Sequence, residues 1–163
     1  MDALEALTTR RSVRRFKSEP VDAHLIEKIV DAGRLAPTAR NIQPCEFVVV
    51  TSAPRRAELA EISDHGKFIA DAPACIVVLS KPTKYFLEDG SAATTNILNA
   101  ATALGLGGCW VAGDKKPYAG LVAELLGAPA DYRLIALVAI GYPLEKLKPT
   151  KRSLTDVLHW DTF

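Results

Sequence analysis

The apolar positions change their spacing several times along the chain, and each change marks an element. After Asp22, a fair helix N-cap, Leu25, Ile26, Ile29 and Val30 recur at helical spacing, and Pro37 after Leu35-Ala36 stops that helix. Asp2 to Thr9 reads as a shorter helix before it. Phe47-Val48-Val49-Val50 is β-branched and aromatic and predicts a buried strand, with a second over Ala74 to Leu79. Between them, Pro54 opens a short helix to Ile62. Asp89 to Leu104 is a long, alanine-rich helix with Ile97, Leu98, Ala101 and Leu104 on one face. Cys109-Trp110-Val111 is a short strand bracketed by glycines, Pro117 to Leu126 a helix ended by Gly127, and Leu134 to Ile140 the last strand. The tail from Gly141 carries Pro143 and Pro149 and ends in a segment from Leu154 to Trp160. Helices interleaved with about four strands predict an α/β or α+β chain whose central sheet is covered on both faces. The pattern leaves the strand order open.

Bulk properties narrow the function classes. The 163 residues fit one domain, 1–163, without repeats or linkers. Lys+Arg 20 against Asp+Glu 19 leaves a net charge of +1, so any anion site is local, and neither nucleic acid nor a membrane surface is expected as a partner. Cys45, Cys75 and Cys109 are odd in number and widely spaced, which predicts a reducing compartment rather than a disulfide framework. No pair has zinc-ligand spacing, and His24, His65 and His159 are scattered and read as surface or packing residues, so no metal is expected. The N-terminus has no signal-peptide pattern and no apolar run reaches bilayer length. The expected location is cytoplasmic.

Four segments carry candidate chemistry. Arg10-Arg11-Ser12-Val13-Arg14-Arg15-Phe16 offers guanidinium forks and a hydroxyl of the kind a phosphate dianion needs, and equally suits a solvated basic helix end or a polyanion patch. Ala36-Pro37-Thr38-Ala39-Arg40-Asn41-Ile42-Gln43-Pro44 is a loop between prolines. Its amides could read a heteroaromatic edge or satisfy the turn's own backbone. Gly105-Leu106-Gly107-Gly108-Cys109-Trp110 permits close backbone approach to a ligand. It lacks the spacing and context of a dinucleotide-binding turn, and it also reads as a helix C-cap entering a strand. Lys146-Leu147-Lys148-Pro149-Thr150-Lys151-Arg152 is a second basic cluster, by default a solvated tail.

Taken in this order, the blocks resemble the FMN-dependent nitroreductases. The resemblance runs through the arginine segment, the Ala36–Pro44 loop, Asp89-Gly90-Ser91-Ala92-Ala93-Thr94-Thr95-Asn96-Ile97-Leu98, Gly105 to Trp110, and Ile140-Gly141-Tyr142-Pro143. It implies an α+β fold: a mixed, mostly antiparallel central sheet flanked by helices, in an intertwined homodimer with FMN at the interface. It further implies that Arg10, Ser12 and Arg14 hold the FMN phosphate with Arg11 close by, and that Lys151 or Arg152 adds charge there. Pro37, Thr38, Ala39, Asn41 and Gln43 would line the ring and ribityl chain from the partner, and Gly107 and Gly108 would bring amides to the pyrimidine side. The implied activity is ping-pong electron transfer from NADH or NADPH through FMN to a small acceptor such as a nitroaromatic or quinone. No catalytic acid–base triad is required and none is visible, since hydride transfer is the cofactor's chemistry. An FMN store or sensor, or another reaction on the same fold, would use the same anchoring residues. Two departures stand out: Cys45 follows Gln43-Pro44 where the family often has an aromatic residue, and the connection from Thr51 to Ala74 is short. Cys45 reads as core filling or as part of the substrate-pocket wall. Trp110 and Trp160 read as core or interface aromatics.

Overall fold

The computed structural model describes residues 1–145 and 149–163; Lys146, Leu147 and Lys148 of the basic tail cluster lie outside the described residues. Four strands, β1 (Cys45–Val50), β2 (Ala74–Ser80), β3 (Gly107–Ala112) and β4 (Arg133–Gly141), form one sheet in the order β1-β2-β4-β3. Every neighbouring pair is antiparallel. Among the described residues the parallel component is a single bridge, Ser12 to Gly108. The helices are α1 (Ala3–Thr9), α2 (Ala23–Arg34), α3 (Ala53–Ile62), α4 (Phe86–Ala103) and α5 (Ala119–Leu125).

Both sheet faces are covered, as the alternation of buried side chains requires. Ile76, Val78, Ala136 and Val138 face α2 and α4, packing with Ile29, Ile97 and Ala101. Cys75, Val77, Leu79 and Leu137 face the opposite way, toward Leu59 of α3 and Val122 of α5. β2 is buried along its whole length. β1 is not: only Val50 is buried, and Val49 is 39% exposed. This corrects the expectation of a buried strand. An unbroken apolar run suits either a central or an edge position, and topology has placed this one at the edge.

Local signals set the element ends. The Asp2 side chain accepts the Glu5 N–H, and that of Asp22 accepts the His24 N–H. α4 starts three residues before the expected Asp89, because Phe86 and Leu87 pack onto the core and extend its apolar face. Its far end closes as a Schellman motif: Leu106 N–H donates to Ala101 O at 2.8 Å and Gly105, at φ 80°, donates to Thr102 O at 3.0 Å. α4 lies close against its neighbours. A Cβ on Gly90 would come within 2.6 Å of Ile135, and one on Gly33 within 2.8 Å of Ile97.

Candidate functional site

The arginine segment leaves α1 and runs along the free edge of β3. Val13 N–H donates to Gly108 O at 3.0 Å, and Phe16 bridges Pro143. Val13 and Phe16 are buried, which anchors the segment, while Arg14 remains exposed and Ser12 half-buried. Arg14, Ser12 and Arg10 all act on Cys109 of β3. Burial pushes the Cys109 thiol above its ordinary pKa, against the opposing influence of Arg14, the Ser12 hydroxyl and Arg10. Among the described residues Arg10 and Arg14 form no ion pair, whereas Arg15 pairs with Glu145 at 3.6 Å. Two guanidinium groups without carboxylates and one hydroxyl make a donor set suited to a phosphate. Arg11 differs. Its Nη1 donates to Thr8 O at 2.9 Å and Arg10 O at 2.7 Å, so its charge sits on the last carbonyls of α1.

Gly107 and Gly108 lie beside this segment, and packing already requires their lack of side chains. A Cβ on Gly107 would be 2.6 Å from Val13, and one on Gly108 would be 2.9 Å from Ile140 and Leu98.

The Pro37–Gln43 loop stands before β1. Arg40, Asn41 and Gln43 all hold left-handed backbone, at φ 55°, 54° and 55°. Each such non-glycine residue costs about 1 kcal/mol, so the surroundings must over-determine the loop. Thr38 Oγ1 accepts the Gln43 N–H at 3.1 Å, and Asn41 N–H donates to Thr38 O at 3.0 Å. Gln43 Nε2 donates to Asn41 O at 3.4 Å, whereas the Asn41 side chain makes no hydrogen bond among the described residues. Both amide side chains are exposed, with Thr38 and Ala39 half-buried and Pro37 exposed. Beneath the loop is a cleft of about 250 Å³ lined by Thr38, Gln43, Cys45, Phe47 and Ala93. Burial raises the Cys45 thiol pKa, the Ser80 hydroxyl lowers it, and Asp89 and Glu46 raise it further.

The loop and the arginine segment lie at opposite corners of one protomer. β1 and β3 are the two sheet edges. Cys45 registers with Ser80 and Arg133 at one end, and Gly108 with Ile140 at the other. Strand spacing and rise put the two segments roughly 25 Å apart. Lys151 and Arg152 are exposed, and Arg152 Nη2 donates to Asp156 O at 2.6 Å. Trp160 is 79% exposed, so it is no core residue of the protomer, while Trp110 packs partly buried on the α4 side.

Asp89 received no role from the sequence. Its side chain is 4% exposed, and its Oδ1 accepts the Ala39 N–H at 2.9 Å. The signal was its place in the first turn of a helix otherwise apolar toward the core, a position where a carboxylate needs a partner.

An antiparallel sheet between helical layers, with a basic segment on one edge and a left-handed loop on the other, defines a nitroreductase-like α+β protein. The Nitroreductase family model matches residues 7–65 and 64–142, and the chain belongs to that family. It is 34% identical over 162 residues to a protein of Methanothermobacter thermautotrophicus provisionally named NADH dehydrogenase/NAD(P)H nitroreductase, covering 96% of this chain and 84% of that one. A nitroreductase, so named provisionally, of Desulfovibrio desulfuricans, crystallised with FMN, superposes with a TM-score of 0.88 at 31% identity, covering 100% of this chain and 98% of that one. An FMN-dependent nitroreductase of Clostridium difficile superposes with a TM-score of 0.92 at 28% identity, covering 98% and 99%.

Proposed function

We propose that residues 1–163 act as one FMN-binding domain of a homodimeric NAD(P)H oxidoreductase. The observation that carries the shared site is the separation of the two candidate half-sites. No single FMN bridges the arginine segment and the Pro37–Gln43 loop of one protomer, so a site using both draws one from each chain. An intertwined partner is supported by the open outer edge of β1 and by an apolar tail left bare, with Leu154 70% and Trp160 79% exposed.

The residues present fit FMN. Arg10, Ser12 and Arg14 supply the phosphate donors, free of competing carboxylates among the described residues. Gly107 and Gly108 lie directly beside them, and Lys151 and Arg152 add positive charge from the tail. The partner's Pro37, Thr38, Ala39, Asn41 and Gln43 would supply backbone and amide groups to the ring and ribityl chain.

When bound, FMN supplies hydride chemistry, taking electrons from NADH or NADPH and delivering them to a small acceptor such as a nitroaromatic or quinone. The protein's own part is orientation and electrostatics. The arginines fix the phosphate end, and preorganised donors near the ring favour the reduced, more negative form. No side chain need exchange a proton to turn the site over, so none is assigned as catalytic. Among the described residues no cluster of three metal-ligating side chains occurs, and no helix is long and apolar enough to cross a membrane. The proposed setting is the cytoplasm.

The test is the visible spectrum of the purified protein, first in air and then anaerobically with NADH or NADPH. Flavin bands that bleach with nicotinamide and return with a nitroaromatic or quinone support this reading. Flavin that stays oxidised points instead to a store or sensor, and a protein that cannot be loaded with FMN overturns the assignment.

A further inference from the structure

We propose that Asp89 is a positioning residue for the flavin: it holds the Pro37–Gln43 loop in its bound shape and so acts on the cofactor without touching it. This rests on the reading above that the loop lines FMN.

Three observations meet on this residue. The loop carries three left-handed non-glycine residues within four positions, a conformation that does not persist without restraint. Most of its hydrogen bonds are internal, running between Thr38, Ala39, Asn41, Ile42 and Gln43. Among the described residues, the one hydrogen bond reaching Pro37–Gln43 from outside the loop and its flanks is that of Asp89, across 50 positions of sequence. Asp89 is itself held in the core. It sits in the first turn of α4, where the helix dipole favours a negative group, and the next residue, Gly90, packs so closely on Ile135 that a Cβ would be 2.6 Å away. The carboxylate therefore ties the loop to the core. Its Oδ2 is buried and makes no hydrogen bond among the described residues. Burying a carboxylate at this cost is explained by a need for one strong acceptor at the Ala39 N–H.

The experiment titrates FMN into flavin-stripped wild-type protein and variants, following the quench of flavin fluorescence. Asp89→Ala removes the acceptor. Ala39→Pro removes the N–H at the first residue of a helical turn, a position that proline tolerates. Each is expected to weaken FMN binding about tenfold or more, and the double variant no further than either alone, since both delete the same bond. Asp89→Asn keeps an oxygen acceptor and is expected to recover affinity to within about threefold of wild type. Additive losses, or an Asp89→Asn protein as weak as Asp89→Ala, would assign Asp89 to general stability and overturn the proposal. If Asp89→Ala does not fold, Ala39→Pro and Asp89→Asn decide the matter. Wild-type protein that binds no FMN defeats the flavin reading and this inference together. Wild-type binding with undiminished affinity in Asp89→Ala and Ala39→Pro defeats this inference alone.

Discussion

Ser12 and Gly108 form a parallel bridge on the outer edge of β3, and this pairing aligns a basic extended segment with two buried glycines. The arginines on either side of the bridge have different duties. Arg10 and Arg14 are available to a ligand, whereas Arg11 is spent on the end of α1.

Arg10→Ala and Arg14→Ala should each weaken FMN binding by about 10- to 100-fold, since a charge-assisted phosphate contact contributes roughly 1.5–3 kcal/mol. Thermal unfolding of the apoprotein should barely change. Arg11→Ala should do the reverse, lowering apoprotein stability by about 1 kcal/mol through lost capping while shifting FMN affinity less. Calorimetry of FMN binding and of unfolding checks both. Equal effects of all three on affinity would contradict the division.

Gly107→Ala should destabilise by roughly 1–3 kcal/mol and loosen FMN, because the new methyl group meets Val13 at 2.6 Å and drives the arginine segment off the sheet. Adding Val13→Ala opens that space, so the double variant should regain affinity relative to Gly107→Ala. Denaturant unfolding together with FMN titration checks this. No recovery would mean that the glycine is needed for its amide rather than for its size.

Much of this was legible in the sequence, and what was not has definite causes. Helix caps and periods located the five α-helices of the described residues, because Asp2, Asp22, Gly105 and Gly127 act within a turn of where they stand. The exposure of β1 was illegible because valine-rich runs do not record what lies beside them: Phe47-Val48-Val49-Val50 reads the same at a sheet's centre or its edge. The arginines and glycines were identifiable by residue type and do meet in space. Asp89 was not identifiable as a loop anchor, since its partner is a backbone N–H remote in sequence and any residue could supply that. The placement of the loop and arginines on opposite corners likewise needed the strand order.

Deleting residues 150–163 should convert the proposed dimer to monomer and abolish FMN retention, since it removes the exposed apolar tail together with Lys151 and Arg152. Sedimentation velocity and the flavin-to-protein ratio check both. A stable, FMN-loaded dimer without the tail would remove it from the interface and from the phosphate site.

Alkali should destabilise the protein over a defined window. Burial pushes the Cys75 thiol from 9.0 up to about 12. The folded state thus keeps a proton that the unfolded state releases, so the stability from this group is complete below pH 9 and is lost as pH rises toward 12. The loss reaches up to about 4 kcal/mol. Cys75→Ala should flatten the decline, measured by denaturant unfolding at stepped pH. A thiol reagent at about pH 8 should modify half-buried Cys45 in the native protein, and buried Cys75 and Cys109 only after unfolding. Rapid native labelling of all three would contradict this burial.

α4 has a consequence for how this chain can vary. Its 18 residues make a rod of about 27 Å, with Asp89 under the loop at one end and the turn into Gly107 at the other. In the proposed dimer those ends belong to different flavins, so the helix acts as a gauge block that sets how far apart the two cofactors lie. Losing one residue would shorten it by about 1.5 Å and swing Asp89 through about 100°, away from Ala39. Insertions and deletions should therefore be tolerated in the connections around α4 and not within it, and its length is as much a part of the proposed site as any side chain.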